Sequence, residues 1–374
     1  MKHLKIHLPR RIKQTIFMSR INFLNNLAST KVNYNLGAGI PPLAMYPEIH
    51  LTECMEIFKQ NFPTVDLLQY HQTEGLITEI AAETFLKNEN IKVAPNQIMI
   101  TNGVQEAIFL TLIAFKDQPI YCLDPYYPGL VDAAIALNCR LIFINEETKW
   151  EQIANIEKGA LLYLSADFSN PTGQTLTLEE RKKLVNFAEK NGWYIFDDAT
   201  YREFYIDEKI NTLYSLLSEN VIHATSFSKL LAPGLRTGFV YFPAEMKSKL
   251  TQIKSVNSLN NSGMTQSIIA GWLLKNEFDL TAQLSELKSR LLANKHIITT
   301  INPSYTGGFF TSFTLPNKEI DYNWCNQLLQ THSIAVCPMR MFSESSNYND
   351  AMRLCIANIQ PNDLQIVINT LESI

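Results

Sequence analysis

The chain has 374 residues, of which 46% are hydrophobic and 18% charged, and its formal net charge is −4. That length can bury a large core and suits two domains, or one with an appendage. The charge balance gives no basis for a nucleic-acid or anionic-membrane partner, and no apolar run is long enough to span a bilayer. The six cysteines (Cys54, Cys122, Cys139, Cys325, Cys337, Cys355) show no Cys-x-x-Cys spacing and lie mostly among apolar residues. They read as small buried hydrophobes in a reducing compartment, and the expected location is the cytoplasm.

The N-terminus is basic and free of acid: Lys2, Lys5, Arg10, Arg11, Lys13, Arg20 and Lys31 all precede Glu48, the first acidic residue. A transit peptide and an arm that packs on a partner subunit are both open readings. Ile12, Ile16, Ile21, Leu24 and Leu27 carry helical spacing, and the chain then opens at 33–42 into a loop holding Gly37, Gly39, Pro41 and Pro42. Helices are predicted over 51–58 and 75–88. A rhythm follows: strands at 97–101, 119–123, 140–145, 160–164, 193–196 and 221–224, with helices at 104–115, 129–137 and 178–191 between them, the last opened by Thr177. Short, nearly all-apolar strands alternating with helices indicate a mostly parallel sheet covered on both faces. Past residue 240 a helix is predicted over 278–297. A smaller α/β pattern ends the chain, with strands at 334–337 and 352–356 and a helix from Pro361. The expected division is an N-terminal arm and part of a small domain over 1–47, a large domain over 48–280, and a small C-terminal domain over 281–374.

In such sheets ligands sit beyond the carboxyl ends of the strands, so the residues there carry the functional reading. Asn102-Gly103-Val104-Gln105 opens a helix, where backbone N–H groups can face an anion. Asp124-Pro-Tyr-Tyr-Pro128 is a rigid turn presenting Tyr127, either as a stacking face or as a structural ring. Asn170 stands before Pro171 in Asn-Pro-Thr-Gly, which holds it extended and presents its amide. Asp198 ends an apolar strand and needs a cation if buried; a pyridinium nitrogen is one, and Tyr201 lies three residues on. Ser226-Phe-Ser-Lys229 precedes Pro233-Gly234 and Arg236: a lysine that can form an imine with an aldehyde cofactor, beside hydroxyls and a guanidinium suited to its phosphate. Arg353 sits within an apolar strand, where a guanidinium needs a carboxylate partner such as a substrate's. The remaining polar residues take plain readings. His71, His223 and His332 are isolated and lack metal spacing, Asp197 is a solvated neighbour of Asp198, and Arg202 and Glu203 form an exposed pair.

Taken together and in this order, these motifs resemble the class I/II aminotransferases, the fold-type I family dependent on pyridoxal 5′-phosphate. The resemblance runs from Gly37-Ala-Gly-Ile-Pro to Arg353. It implies a large domain with a mostly parallel sheet between helices and a small α/β domain built from both chain ends. It also implies that Lys229 forms the internal aldimine and then serves as base and acid in a ping-pong transfer between an L-amino acid and a 2-oxo acid. Asp198 would pair with the pyridine nitrogen, Tyr201 and Asn170 would bond the phenolic oxygen, and Tyr127 would stack on the ring. Gly103, Val104, Gln105, Ser226, Ser228 and Arg236 would hold the phosphate, joined by Tyr70 from the other subunit of a homodimer. Arg353 would clamp the substrate carboxylate, with Asn170 beside it and Gly39 lining the entrance. Many relatives carry Ser where this chain has Val104, so one side-chain contact to phosphate is missing while the backbone N–H survives.

The same residues would also serve a lyase, cyclase or replacement enzyme, since each of these reactions begins by removing the α-proton. An effector domain of a transcription regulator is a non-enzymatic alternative. About 30 residues precede the family-like segment, too few for a winged helix with linker. No second arginine announces a dicarboxylic substrate, so a neutral side chain is expected.

Overall fold

The computed structural model describes residues 31–40, 48–281 and 284–374, together with Arg20, Leu24, Leu27 and Tyr46. Ile12, Ile16, Ile21, Pro41 and Pro42 lie outside the described residues. A seven-stranded sheet comprises β1 (Ile98–Thr101), β2 (Ile120–Asp124), β3 (Leu141–Asn145), β4 (Leu161–Leu164), β5 (Tyr194–Asp198), β6 (Val221–Ser226) and β7 (Gly238–Tyr241). Their spatial order is β1-β7-β6-β5-β4-β2-β3. All neighbours from β6 to β3 run parallel, while β7 is antiparallel to both β1 and β6.

Burial on both faces follows from strand alternation. Ile120, Cys122, Leu161, Tyr163, Phe196, Ile222 and Ala224 join one apolar cluster with Ala107, Ile108, Leu130 and Val131 of the helices Val104–Ala114 and Pro128–Ala136. Tyr121, Leu162, Leu164, Ile195 and Val221 face the opposite way, into a cluster with Leu184, Ala188, Ile269 and Trp272. The helix Leu178–Asn191 begins in a capping box between Thr177 and Glu180 and ends at Gly192, whose φ of 68° supplies the left-handed cap.

Three sequence expectations are corrected. Residues 221–224 are not the last strand of the series, because β7 follows. A reversal from β6 into an antiparallel neighbour needs no helical crossover, so β7 falls outside the strand–helix rhythm. The helix expected over 278–297 instead spans Ser285–Ile301; Glu277 and Phe278 take left-handed φ values of 51° and 62°, which turn the chain before it. The strand expected over 334–337 divides in two: Ile334–Ala335 pairs in parallel with Tyr34–Asn35, and Cys337–Pro338 pairs with Ala351–Cys355.

That last strand also pairs with Phe310–Thr314 to complete a second, antiparallel sheet. Leu36 is stitched between the two pairings, donating its N–H to Ala335 and accepting from Cys355. Residues near the N-terminus are thereby fixed to residues some 300 positions later, which brings Gly37 and Gly39 to the C-terminal strands.

The pair Arg202 and Glu203 is buried, not exposed. Arg202 makes a bidentate contact with Glu89 (2.8 and 2.6 Å) and a 2.8 Å bond to Asp167, which also pairs with the fully buried Arg181. Lys209 bridges Glu89 and Glu203. Burial opposes ionisation of Asp167, yet Arg202 and Arg181 hold its carboxyl down to about 2. Local pattern carries no sign of this network, since its partners come from four separate segments. Arg202→Ala takes one of two cations from each of the buried carboxylates Glu89 and Asp167, leaving Lys209 and Arg181 to them, and should cost about 3 kcal/mol of unfolding free energy. Urea unfolding at neutral pH measures this, and a loss under 1 kcal/mol would contradict the reading.

Candidate active site

The carboxyl ends of β1, β2, β4, β5 and β6 converge on one region. Gly103 caps the helix Val104–Ala114 with φ 72° and ψ 177°, a conformation that requires glycine. A Cβ there would also lie 2.8 Å from the Arg236 guanidinium. Arg236, itself left-handed at φ 47°, donates 3.0 Å bonds to the Asn102 carbonyl and to Ser228 Oγ. One guanidinium thus joins the helix start to the turn carrying Lys229. Ser226 Oγ accepts the Ser228 N–H at 3.1 Å. Tyr127 donates to Gln105 Oε1 at 3.1 Å, while Gln105 Nε2 donates to the Gly129 carbonyl. The helix start, two serine hydroxyls and an arginine suit a phosphate dianion. Val104 contributes no side-chain donor and is buried.

Asp198 and Asp197 end β5 on opposite faces. Asp198 is buried, and its Oδ2 accepts the Tyr163 hydroxyl at 2.7 Å. Its Oδ1 accepts Thr200 Oγ1 at 2.6 Å and the Thr200 N–H at 3.2 Å. Burial pushes the Asp198 carboxyl up, the Thr200 and Tyr163 hydrogen bonds draw it back, and the Asp197 charge raises it further. Asp197 is fully buried rather than solvated. It meets His223 Nδ1 at 3.0 Å and accepts the Ala166 N–H, so His223 is not isolated either. Tyr201 packs edge-on against Phe309 and Phe310, with its hydroxyl pushed well up by burial.

Lys229 lies in the short helical turn Phe227–Leu230, and its Nζ donates to the Gly39 carbonyl at 2.7 Å. Burial, and secondarily the positive charges of Arg353 and Arg236, hold its ammonium down to about 8 despite an opposing effect of Cys355. Arg353 is almost fully buried, and its guanidinium lies over the rings of Phe310 (4.5 Å) and Phe342 (4.7 Å). It donates to Asn170 Oδ1 at 2.9 Å, to the Gly37 carbonyl at 2.6 Å and to Cys337 Sγ at 3.7 Å, leaving Nε without a partner. The carboxylate expected opposite Arg353 is thus absent among the described residues, and an orphan donor stands in a buried site. Gly39 cannot carry a side chain without meeting the Phe310 ring at 2.8 Å. Tyr70 stands apart: its side chain is 76% exposed at the surface.

Sequence reasoning missed Tyr163, Thr200, the Gln105 link to Tyr127, and the aromatic walls on Arg353. Strand parity offered a signal for the first. Tyr163 pairs in register with Phe196, two residues before Asp198 on the same face. Phe310 and Phe342 offered none, since their approach to Arg353 depends on packing between distant segments.

The family model for "Aminotransferase class I and II" matches residues 33–371. A curated (S)-3,5-dihydroxyphenylglycine transaminase of Amycolatopsis orientalis is 29% identical over 334 residues, covering 80% of this chain and 75% of the relative. An HTH-type transcriptional regulator of Staphylococcus aureus, NorG, is 26% identical over 69% of this chain and 60% of its own length. Among solved structures, the alpha-aminoadipate aminotransferase of Thermus thermophilus, complexed with N-(5′-phosphopyridoxyl)-L-leucine, superposes with a TM-score of 0.80. It is 25% identical and is matched over 96% of this chain and 94% of that one. A match running through nearly every element described above settles the membership: this chain belongs to the class I and II aminotransferase family.

Proposed function

We propose that Lys229, Asp198 and Arg353 are the working centre of this aminotransferase, which moves an amino group from an L-amino acid to a 2-oxo acid in two successive half-reactions. The observation that carries this assignment is the Lys229 amine. It is poised near pH 8 and, among the described residues, has a backbone carbonyl as its hydrogen-bond partner and lies close to a buried arginine that meets no carboxylate.

The cofactor is pyridoxal 5′-phosphate, and the residues present suit it: an anion cradle that includes Ser228 and Arg236, a buried carboxylate at Asp198, and an amine at Lys229. When bound, it supplies an aldehyde that receives the amino group and a ring that withdraws electrons from the substrate Cα. Backbone N–H groups at Gly103, Val104 and Gln105, the hydroxyls of Ser226 and Ser228, and Arg236 would hold the phosphate. Tyr127 would lie against the ring, while Asn170 Nδ2 and the Tyr201 hydroxyl would serve as donors to its phenolic oxygen. Asp198, ionised, would keep the ring nitrogen protonated. Arg353 would bind the substrate carboxylate, using a donor that no group takes among the described residues, and Asn170 fixes the guanidinium plane. Lys229 Nζ removes the proton from Cα when neutral and returns it when charged. Gly39 keeps the approach to the amine clear.

The exposed Tyr70 suits a contact to the phosphate of a second copy, giving a homodimer with shared sites. The six unpaired cysteines support a cytoplasmic location. A neutral substrate side chain suits the aromatic shell of Tyr201, Phe309 and Phe310.

Lys229→Ala should retain the fold and lose turnover by roughly 10²–10⁴-fold or more, measured with a panel of amino acids against 2-oxoglutarate and pyruvate. Comparable turnover in the variant would refute the assignment. Arg353→Lys loses the planar fork and should raise KM for the amino acid by about tenfold to a hundredfold; an unchanged KM would remove Arg353 from the site. Burial lowers the Lys229 ammonium, so the neutral, reactive amine should predominate above about 8. In cofactor-free protein, acylation of Lys229 followed by peptide mass spectrometry should rise through that pH. A rise only near that of exposed lysines, about 10.4, would contradict it.

A further inference from the structure

Asp198 has no cation of this chain as partner among the described residues; its partners are hydroxyls and one backbone N–H. Burial and the neighbouring Asp197 both disfavour its charge, and a neutral carboxyl would be a poor partner for a protonated ring nitrogen. Tyr163 answers this from β4. Its ring is 4% exposed and stacked on Phe196 at 5.5 Å and 17°, and its hydroxyl donates to Asp198 Oδ2 at 2.7 Å. Phenylalanine would serve that packing equally well, so the hydroxyl matters for the carboxylate. Thr200 ties the other oxygen through both Oγ1 and N–H, so the carboxylate plane is fixed at two ends.

We propose that Tyr163, with Thr200, is a positioning residue of the reaction: the two hydroxyls hold Asp198 ionised and in one orientation, and so set how firmly the cofactor's ring nitrogen keeps its proton. This rests on the aminotransferase reading of the site. The other titratable groups around Asp198 are Asp197, engaged on the far face by His223, and the hydroxyls of Tyr127 and Tyr201. Burial pushes the Tyr127, Tyr163 and Tyr201 hydroxyls upward, so they remain donors throughout the working range of pH. Hydrogen bonds to a charged form stabilise it, and those made to an ion are the stronger kind. Without one of them Asp198 is a stronger base and draws the ring proton toward itself, leaving the ring a weaker electron acceptor.

The test compares wild-type, Tyr163→Phe and Thr200→Val holoenzymes, each loaded with pyridoxal 5′-phosphate. In each variant the pH midpoint of the cofactor's absorbance change should move up by roughly one pH unit. kcat should fall about tenfold with KM for the amino acid unchanged, and the double variant should move further than either. With cofactor labelled with 15N in the ring, the nitrogen resonance should shift toward that of unprotonated pyridine. A lower rate with an unmoved midpoint and an unmoved 15N resonance in both variants overturns the proposal. If Tyr163→Phe fails to fold, Thr200→Val alone decides by the same criteria. A wild type that forms no cofactor band defeats the aminotransferase reading itself; a wild type with the band and unmoved variants defeats only the role of the hydroxyls.

Discussion

The cost of holding charge at the ends of buried apolar strands governs this molecule. Asp198 and Arg353 are withdrawn from water and Lys229 is half-buried, and none is matched by an opposite charge of the chain among the described residues. The protein instead surrounds them with hydroxyls, amides, carbonyls and aromatic faces, which satisfy geometry without cancelling charge. Groups held in this way are electrostatically expensive, and under the function proposed above a protonated ring nitrogen, a carbonyl group and a carboxylate would offset that cost. The buried network of Asp167, Arg181, Arg202 and Glu89 shows the contrasting solution, in which opposite charges neutralise one another and no ligand is needed.

Strand parity decides which of two adjacent carboxylates falls in which environment. Asp197 and Asp198 differ by one residue and therefore by one face of the sheet. One is locked to a histidine, while the other meets the hydroxyls of Tyr163 and Thr200. From sequence the pair can be separated only by counting from the motif, since both are aspartates at the end of the same apolar run.

The parallel strands, the helices between them and the residues at their carboxyl ends were legible because each is specified locally, by apolar runs, by a cap such as Thr177, or by glycine and proline at turns. Arg353 was legible as a charge without a local reason to be buried. What escaped was assembled from afar. Strand β7 needed its antiparallel partners on either side, and Arg202 needed Glu89 and Asp167 from separate segments. Tyr163 looked like one more apolar strand residue, since its hydroxyl acquires a purpose only when β4 and β5 lie side by side.

The stitched segment near residue 36 has a mechanical consequence. Gly37 and Gly39 offer carbonyls two positions apart, the first to Arg353 and the second to Lys229. Leu36, just before them, is clamped by backbone bonds to both Ala335 and Cys355. The segment therefore acts as a gauge whose graduations are peptide units: it sets the offset between the group that would take a carboxylate and the group that would take a proton. Because neither glycine contributes a side chain, this gauge is read by the backbone alone. Its calibration would survive many changes of residue type nearby but not a change in the number of residues between the two marks.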